Sequence, residues 1–185
     1  MKNITFVQVI YFMTQTILHR WKSIQLAEID VTLPTGQSVV HTTIVHPGAA
    51  VILPITGDGD IILLKQFRPS LNKWIYELPA GTLEANESPI ECARRELIEE
   101  SGYQAGQLIS LGQCTPLAGF CDEIQHLFVA TQLSENQTLT QDDDEVIEVL
   151  KVPLSKVEQW ILDDQISDSK TIACLYKAKL AGLLN

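Results

Sequence analysis

The chain has 185 residues, 45% of them hydrophobic, and sets 13 lysines and arginines against 23 aspartates and glutamates for a formal net charge of -10. Its length suits one domain with a full core, and its acidity argues against a nucleic-acid backbone as partner, since such binders carry a basic patch. Cys92, Cys114, Cys121 and Cys174 show no C-x-x-C spacing, so they indicate neither a zinc site nor a disulfide framework, and reduced thiols in a cytoplasmic protein are expected.

The apolar run ITFVQVIYFM near the start is interrupted by Gln8 and lacks a small-residue cleavage site, so it does not read as a signal peptide. It is also too short to span a bilayer. A strand or ordered arm is expected there, or, if Met13 is the natural start, an upstream extension. Residues 21–33 read as a strand, Pro34-Thr35-Gly36-Gln37 as a turn and residues 38–46 as a second strand, together a hairpin. After the break at His46-Pro47-Gly48, residues 49–56 and 61–67 are short apolar runs suited to buried strands, joined by a tight turn at Gly57-Asp58-Gly59-Asp60. Arg68-Pro69 ends the second, and a short strand over 74–78 leads into Pro79-Ala80-Gly81.

A helix follows whose ends are both marked. Ser88, Pro89 and Glu91 supply a cap, a first-turn proline and a capping box, and Gly102 supplies the stop. Ile90, Ala93 and Leu97 recur at helical spacing as an apolar stripe for the core. Glu96, Glu99 and Glu100 fall side by side on an adjacent face. Like charges at that spacing repel by a few tenths of a kcal/mol per pair, roughly. A hard divalent cation such as Mg²⁺, which takes carboxylate oxygens, would reverse the sign. The plainer reading is a solvated acidic helix balanced by Arg94 and Arg95.

Beyond the helix, residues 107–115 read as a strand, 116–122 as a loop and 123–133 as a strand. A polar, acidic stretch then precedes a strand over 146–152, a helix opened by Pro153 that ends near residue 162, and an amphipathic helix over 169–183. Many strands with a central helix and terminal helices make the fold class α+β, a mixed α/β sandwich.

Gly81, Glu87, Arg95, Glu96, Leu97, Glu99, Glu100, Gly102 and Tyr103 stand in the pattern G-x5-E-x7-R-E-U-x-E-E-x-G-U, with U an apolar or aromatic residue. That pattern is the signature of the Nudix hydrolases. The stretch LLKQFRPSLNKWIYELPAG resembles their ADP-ribose pyrophosphatase branch, whose members carry Q-x-R followed by E-L-P-A-G. The resemblance implies the Nudix fold, a mixed β-sheet sandwiched between helices with an N-terminal β-hairpin. It further implies that residues 1–45 form a dimerisation element whose strands exchange in a homodimer, and that residues 46–185 form the hydrolase domain.

It also implies roles. Glu96 and Glu100, with the main-chain carbonyl of Ala80, would be the principal ligands of Mg²⁺ or Mn²⁺, and Glu99 would bind metal or position it. Arg95 and Glu87 would orient the loop and the carboxylates. In Asp142-Asp143-Asp144-Glu145, Glu145 matches the loop glutamate that completes the metal site or acts as base in this branch, and Asp143 is the second candidate. Arg68 matches the arginine of Q-x-R and would clamp phosphate, with a surface salt bridge as its plainer role. Glu123 matches an acid that contacts the sugar or helps the site.

Two departures from the branch concern the substrate. Where it shows S-P-G, this chain has Leu117-Ala118-Gly119, with Gly119 at the substrate loop and Pro116 as the nearest proline. In the partner-facing hairpin His41 stands where relatives supply arginine or an aromatic, and Trp21 is a candidate stacking ring, with a core or interface tryptophan as its plainer role. The expected activity is Mg²⁺-dependent cleavage of ADP-ribose, or a similar nucleoside diphosphate sugar, to AMP and a sugar phosphate. A triphosphate house-cleaning pyrophosphatase and a non-catalytic sugar-nucleotide-binding module are the alternatives.

Overall fold

The computed structural model describes residues 14–136 and 146–184. It begins with an antiparallel sheet of β1 (Gln15–Trp21), β2 (Ile24–Thr32) and β3 (Ser38–Val45), in that order. The expected hairpin is its second half, pairing from Gln25↔Val45 to Thr32↔Ser38. The run over 21–33 is not one strand. Lys22 takes a left-handed φ of 49° and the chain reverses, so Trp21 ends β1 and Ile24 begins β2. Strand β1 has no counterpart in the sequence reading, because nearly all of it is exposed and its pattern never separates a buried face from a wet one. The N-terminal apolar run lies outside the described residues.

The remaining elements are β4 (Ala49–Pro54), β5 (Asp60–Arg68), β6 (Lys73–Glu77), β7 (Ala80–Thr82), α1 (Pro89–Ser101), β8 (Tyr103–Cys114), β9 (Gln125–Glu135), β10 (Ile147–Pro153), α2 (Leu154–Leu162) and α3 (Ser169–Leu180). A mixed sheet runs β7-β4-β9-β8, with β4 and β9 parallel, and an antiparallel sheet runs β10-β5-β6. Most of these strands and helices lie within a few residues of expectation. The exceptions flank the motif: Ala80-Gly81-Thr82 pairs with β4 as a short strand, and β8 starts at Tyr103, directly after the Gly102 stop at φ 70°.

Strand alternation explains the layering. Val51, Leu53, Leu127 and Val129 face one side and pack with Val157, Cys174, Leu175 and Ala178 of α2 and α3. Ala50, Ile52, Phe128 and Ala130 face the other and pack with Cys92, Ala93 and Leu97 of α1. Each large apolar side chain so buried contributes on the order of 1.5–3 kcal/mol. The mixed sheet thus lies between helices, and the fold is α+β as expected. No described helix is long and apolar enough to cross a membrane.

The helix α1 starts as its sequence predicts. The Glu91 carboxylate accepts the backbone N–H of Ser88 at 2.9 Å and its hydroxyl at 2.5 Å, with Pro89 in the first turn. One expectation fails. The buried face includes Cys92, Ala93, Glu96, Leu97, Glu100 and Ser101, so Ile90, at its margin and in the first turn, is 42% exposed and outside the core stripe. The same shift buries two carboxylates, which removes the solvated acidic helix as a description.

Candidate active site

The site is assembled where α1 crosses β7. The backbone N–H of Ala80 donates to Glu100 Oε2 at 2.8 Å, and Glu96 lies over Gly81 so closely that a Cβ there would fall 1.8 Å from its Oε1. A side chain at position 81 would therefore have to displace the end of Glu96. Glu96 and Glu100 are 9% and 4% exposed.

Arg95 ties the acids together. Its Nε and Nη2 donate to Glu87 at 2.8 and 2.9 Å, Nη1 donates to Glu96 at 2.6 Å and to Glu99 at 3.0 Å, and Nη2 also reaches the carbonyl of Thr82 at 3.2 Å. One guanidinium thus spans three carboxylates and the β7 backbone, leaving a surplus of negative charge. The hydrogen bond from Arg95 pulls the Glu87 carboxyl down to about 2, and Glu87 in return pushes the arginine up. Cys92, beneath this cluster, is pushed up to about 12 by burial and then by Glu96, and is inert as a thiol.

Among the described residues no group of three or more His, Cys, Asp or Glu side chains forms a ready-made cation cluster. The donor chemistry nonetheless fits a hard cation: Glu96 and Glu100 offer buried carboxylate oxygens beside the Ala80-Gly81 backbone. The Glu99 carboxylate is 36% exposed and held by Arg95 at the edge of the group. Asp143 and Glu145 lie outside the described residues.

Other expected substrate residues lie on separate elements. Arg68 closes β5, and its Nε and Nη2 both donate to Glu77 at 2.7 Å, a bidentate pair with a fully buried carboxylate. Nearby on β5, Gln66 is 2% exposed, and its Oε1 has no hydrogen-bond partner among the described residues. Glu123 accepts from Gln125 Nε2 at 2.9 Å at the entrance to β9. Gly119 is exposed with open space around it, in a loop tied to β3 through Ile44 N–H to the Phe120 carbonyl at 2.8 Å. Trp21 and His41 are not brought together: they pair with Ile24 and Ile29 of β2, roughly 16 Å apart along that strand. Cys121 is buried, and burial pushes its thiol up.

Sequence reasoning passed over Glu77 and Lys170. The first stood inside the quoted E-L-P-A-G run without a role, and its pairing with an α3 lysine 93 positions away has no spacing to betray it.

A mixed sheet between helices, with acids gathered by one arginine against a short glycine-bearing strand, defines a class. The chain belongs to the Nudix family: the family model for the NUDIX domain matches residues 45–173. Among its relatives are the ADP-ribose pyrophosphatase of Bacillus subtilis (strain 168), 40% identical over 88% of this chain and 89% of that one, and the methanol dehydrogenase activator of Bacillus methanolicus, 38% identical over 87% and 88%. The GDP-mannose pyrophosphatase of Yersinia enterocolitica is 33% identical over 92% and 95%. A crystal structure of an ADP compounds hydrolase matches with a TM-score of 0.77 over 92% of this chain and 93% of that one; at 22% identity it attests the fold.

Proposed function

We propose that this chain hydrolyses the pyrophosphate bond of ADP-ribose, or of a similar nucleoside diphosphate sugar, to a nucleoside monophosphate and a sugar phosphate. The observation that carries it is the intact acid set of the motif, with Glu96 and Glu100 buried against Gly81 and Ala80, Glu96 held by Arg95 and Glu100 by the Ala80 N–H. Relatives named for ADP-ribose and for GDP-mannose support the substrate class.

Glu96 and Glu100, with the Ala80 carbonyl, would hold Mg²⁺ or Mn²⁺. Such ions neutralise charge on a diphosphate and lower the pKa of bound water. Arg95 sets the orientation of Glu96 and Glu99, and Glu87 holds Arg95. Arg68, held by Glu77 through Nε and Nη2, would present its positive charge to the diphosphate. Glu123 and Gly119 would border the sugar, and Glu145 or Asp143 would complete the acid set. A non-catalytic module is disfavoured because every acid of the motif is in place.

The N-terminal sheet supports a homodimer built on residues 1–45, since Leu18, Trp21, Leu26 and Val40 are exposed on it. In that dimer His41 and Trp21 would serve the partner's substrate. Four free cysteines, three of them buried, are consistent with a reducing cytoplasm.

The test is turnover of ADP-ribose, ADP-glucose, UDP-glucose, GDP-mannose, NADH and dGTP with and without Mg²⁺. ADP-ribose is expected to lead and to require the metal. Preference for dGTP would reject the substrate assignment in favour of triphosphate house-cleaning.

A further inference from the structure

The run from Glu77 to Ala80, which delivers the backbone of the site, is fastened at every residue. Ala80 N–H donates to Glu100, the Pro79 carbonyl accepts from Ile52 N–H at 2.9 Å, and Leu78 N–H donates to Thr171 Oγ1 at 2.9 Å. Glu77 is gripped by Arg68 and by the ammonium of Lys170. Two of the four fastenings therefore come from the first turn of α3, on the opposite face of the mixed sheet from α1.

That turn is itself rigid. Asp168 caps α3 by accepting Thr171 N–H at 3.0 Å and Thr171 Oγ1–H at 2.6 Å, and it accepts from Lys170 at 3.1 Å. Lys170 and Asp168 are 12% and 14% exposed at the side chain. The chain Asp168, Lys170, Glu77, Arg68 alternates in charge and passes through the fully buried Glu77 to a guanidinium that is 35% exposed.

The geometry of the last pair is informative. Across the β5–β6 ladder Glu77 lies opposite Leu64, while Arg68 lies opposite Lys73. The Arg68 side chain must therefore lie back along β5, past Gln66, to reach Glu77. A lone buried carboxylate can meet a guanidinium in several ways. One already held by a fixed ammonium presents its oxygens in a single direction, and both Arg68 contacts are 2.7 Å.

We infer that Lys170 is a positioning residue for the phosphate-binding arginine: it fixes Glu77, and Glu77 aims Arg68. This rests on the phosphate-binding role proposed for Arg68, but its structural half can be tested without any substrate.

The first readout is the Arg68 Nε–H resonance in ¹⁵N spectra of the full-length protein, assigned by its loss in Arg68→Lys. In the wild type this proton is expected to exchange slowly with solvent. In Lys170→Met it should exchange at least about tenfold faster, because one charged partner of a buried carboxylate is gone. Lys170→Arg should restore it, and thermal melting selects variants that remain folded. Unchanged exchange in folded Lys170→Met would overturn the inference.

The second readout is kinetic. Lys170→Met is expected to raise KM for ADP-ribose about tenfold with kcat within about twofold, and to add nothing once Arg68 is alanine. A full, additive loss in the Arg68→Ala background would show that Lys170 acts by another route. If the wild type hydrolyses no nucleotide sugar while the resonance responds as expected, the functional reading fails and the positioning of Arg68 stands.

Discussion

Two charged clusters beside the motif are built with opposite signs. Around Arg95 one cation is shared by Glu87, Glu96 and Glu99; around Glu77 one buried anion is shared by Arg68 and Lys170. The first leaves carboxylate charge unbalanced, and the second places a guanidinium at the surface. A diphosphate carried with a divalent cation needs both: a negative nest for the metal and a positive edge for the phosphate. The clusters also differ in how they are held. All members of the first lie within 13 positions of sequence on one loop and helix, whereas the second joins three elements and includes a pair 93 positions apart.

The sharpest break is expected in the acidic cluster. Glu100→Gln keeps the shape and can still accept from Ala80 N–H, yet it removes the charge. Because even supporting partners of metal ligands are worth about 10–100-fold, turnover should fall by at least about a hundredfold. Melting should be little changed. Full activity in a folded Glu100→Gln enzyme would remove the metal assignment.

Arg95→Met should act mainly on stability in the absence of metal. It leaves three carboxylates without their common cation, two of them largely buried, and removal of one partner of such a group costs about 3 kcal/mol. Urea denaturation should recover part of that loss on adding Mg²⁺. Recovery equal to the wild type's own response to Mg²⁺ would mean that the acids are not the metal's site.

What could be read in advance follows the same division. The start of α1 at Ser88, its stop at Gly102 and the ring of acids were legible because their causes lie within a turn or two of chain. The Arg68–Glu77–Lys170 chain was not, since each partner alone looks like a surface charge and only the β5–β6 ladder and the packing of α3 bring them together. Ile90 was misplaced because helical spacing marks an apolar stripe without saying where its buried face is centred. Strand β1 was missed because an exposed strand has no inside to pattern.

Gly81→Ala probes the contact between helix and turn. Its Cβ would displace the far end of Glu96, a flexible side chain, so the expected stability cost is only about 1 kcal/mol. The affinity for Mg²⁺, measured by calorimetry, should nevertheless fall about 10–100-fold as the carboxylate is turned away. An unaltered affinity would show that Glu96 is not needed where it now lies.

The smallest effect at neutral pH is expected from Glu87, and its sign depends on acid. The folded carboxyl is held at about 2, well below the ordinary glutamate value of 4.5, chiefly by the hydrogen bond from Arg95. Between those values the unfolded chain binds a proton that the folded chain does not, so stability must rise with pH across that window. The contribution is fully present above 4.5 and is lost as pH falls toward 2. Other carboxylates titrate in the same range, so the informative quantity is the wild type minus Glu87→Gln, followed by urea denaturation of metal-free protein from pH 2 to 6. That difference should grow with pH up to about 4.5 and then flatten. A difference independent of pH would mean that Arg95 does not discriminate between the charged and neutral forms of Glu87, and the arginine could then not be what holds the acidic cluster in place.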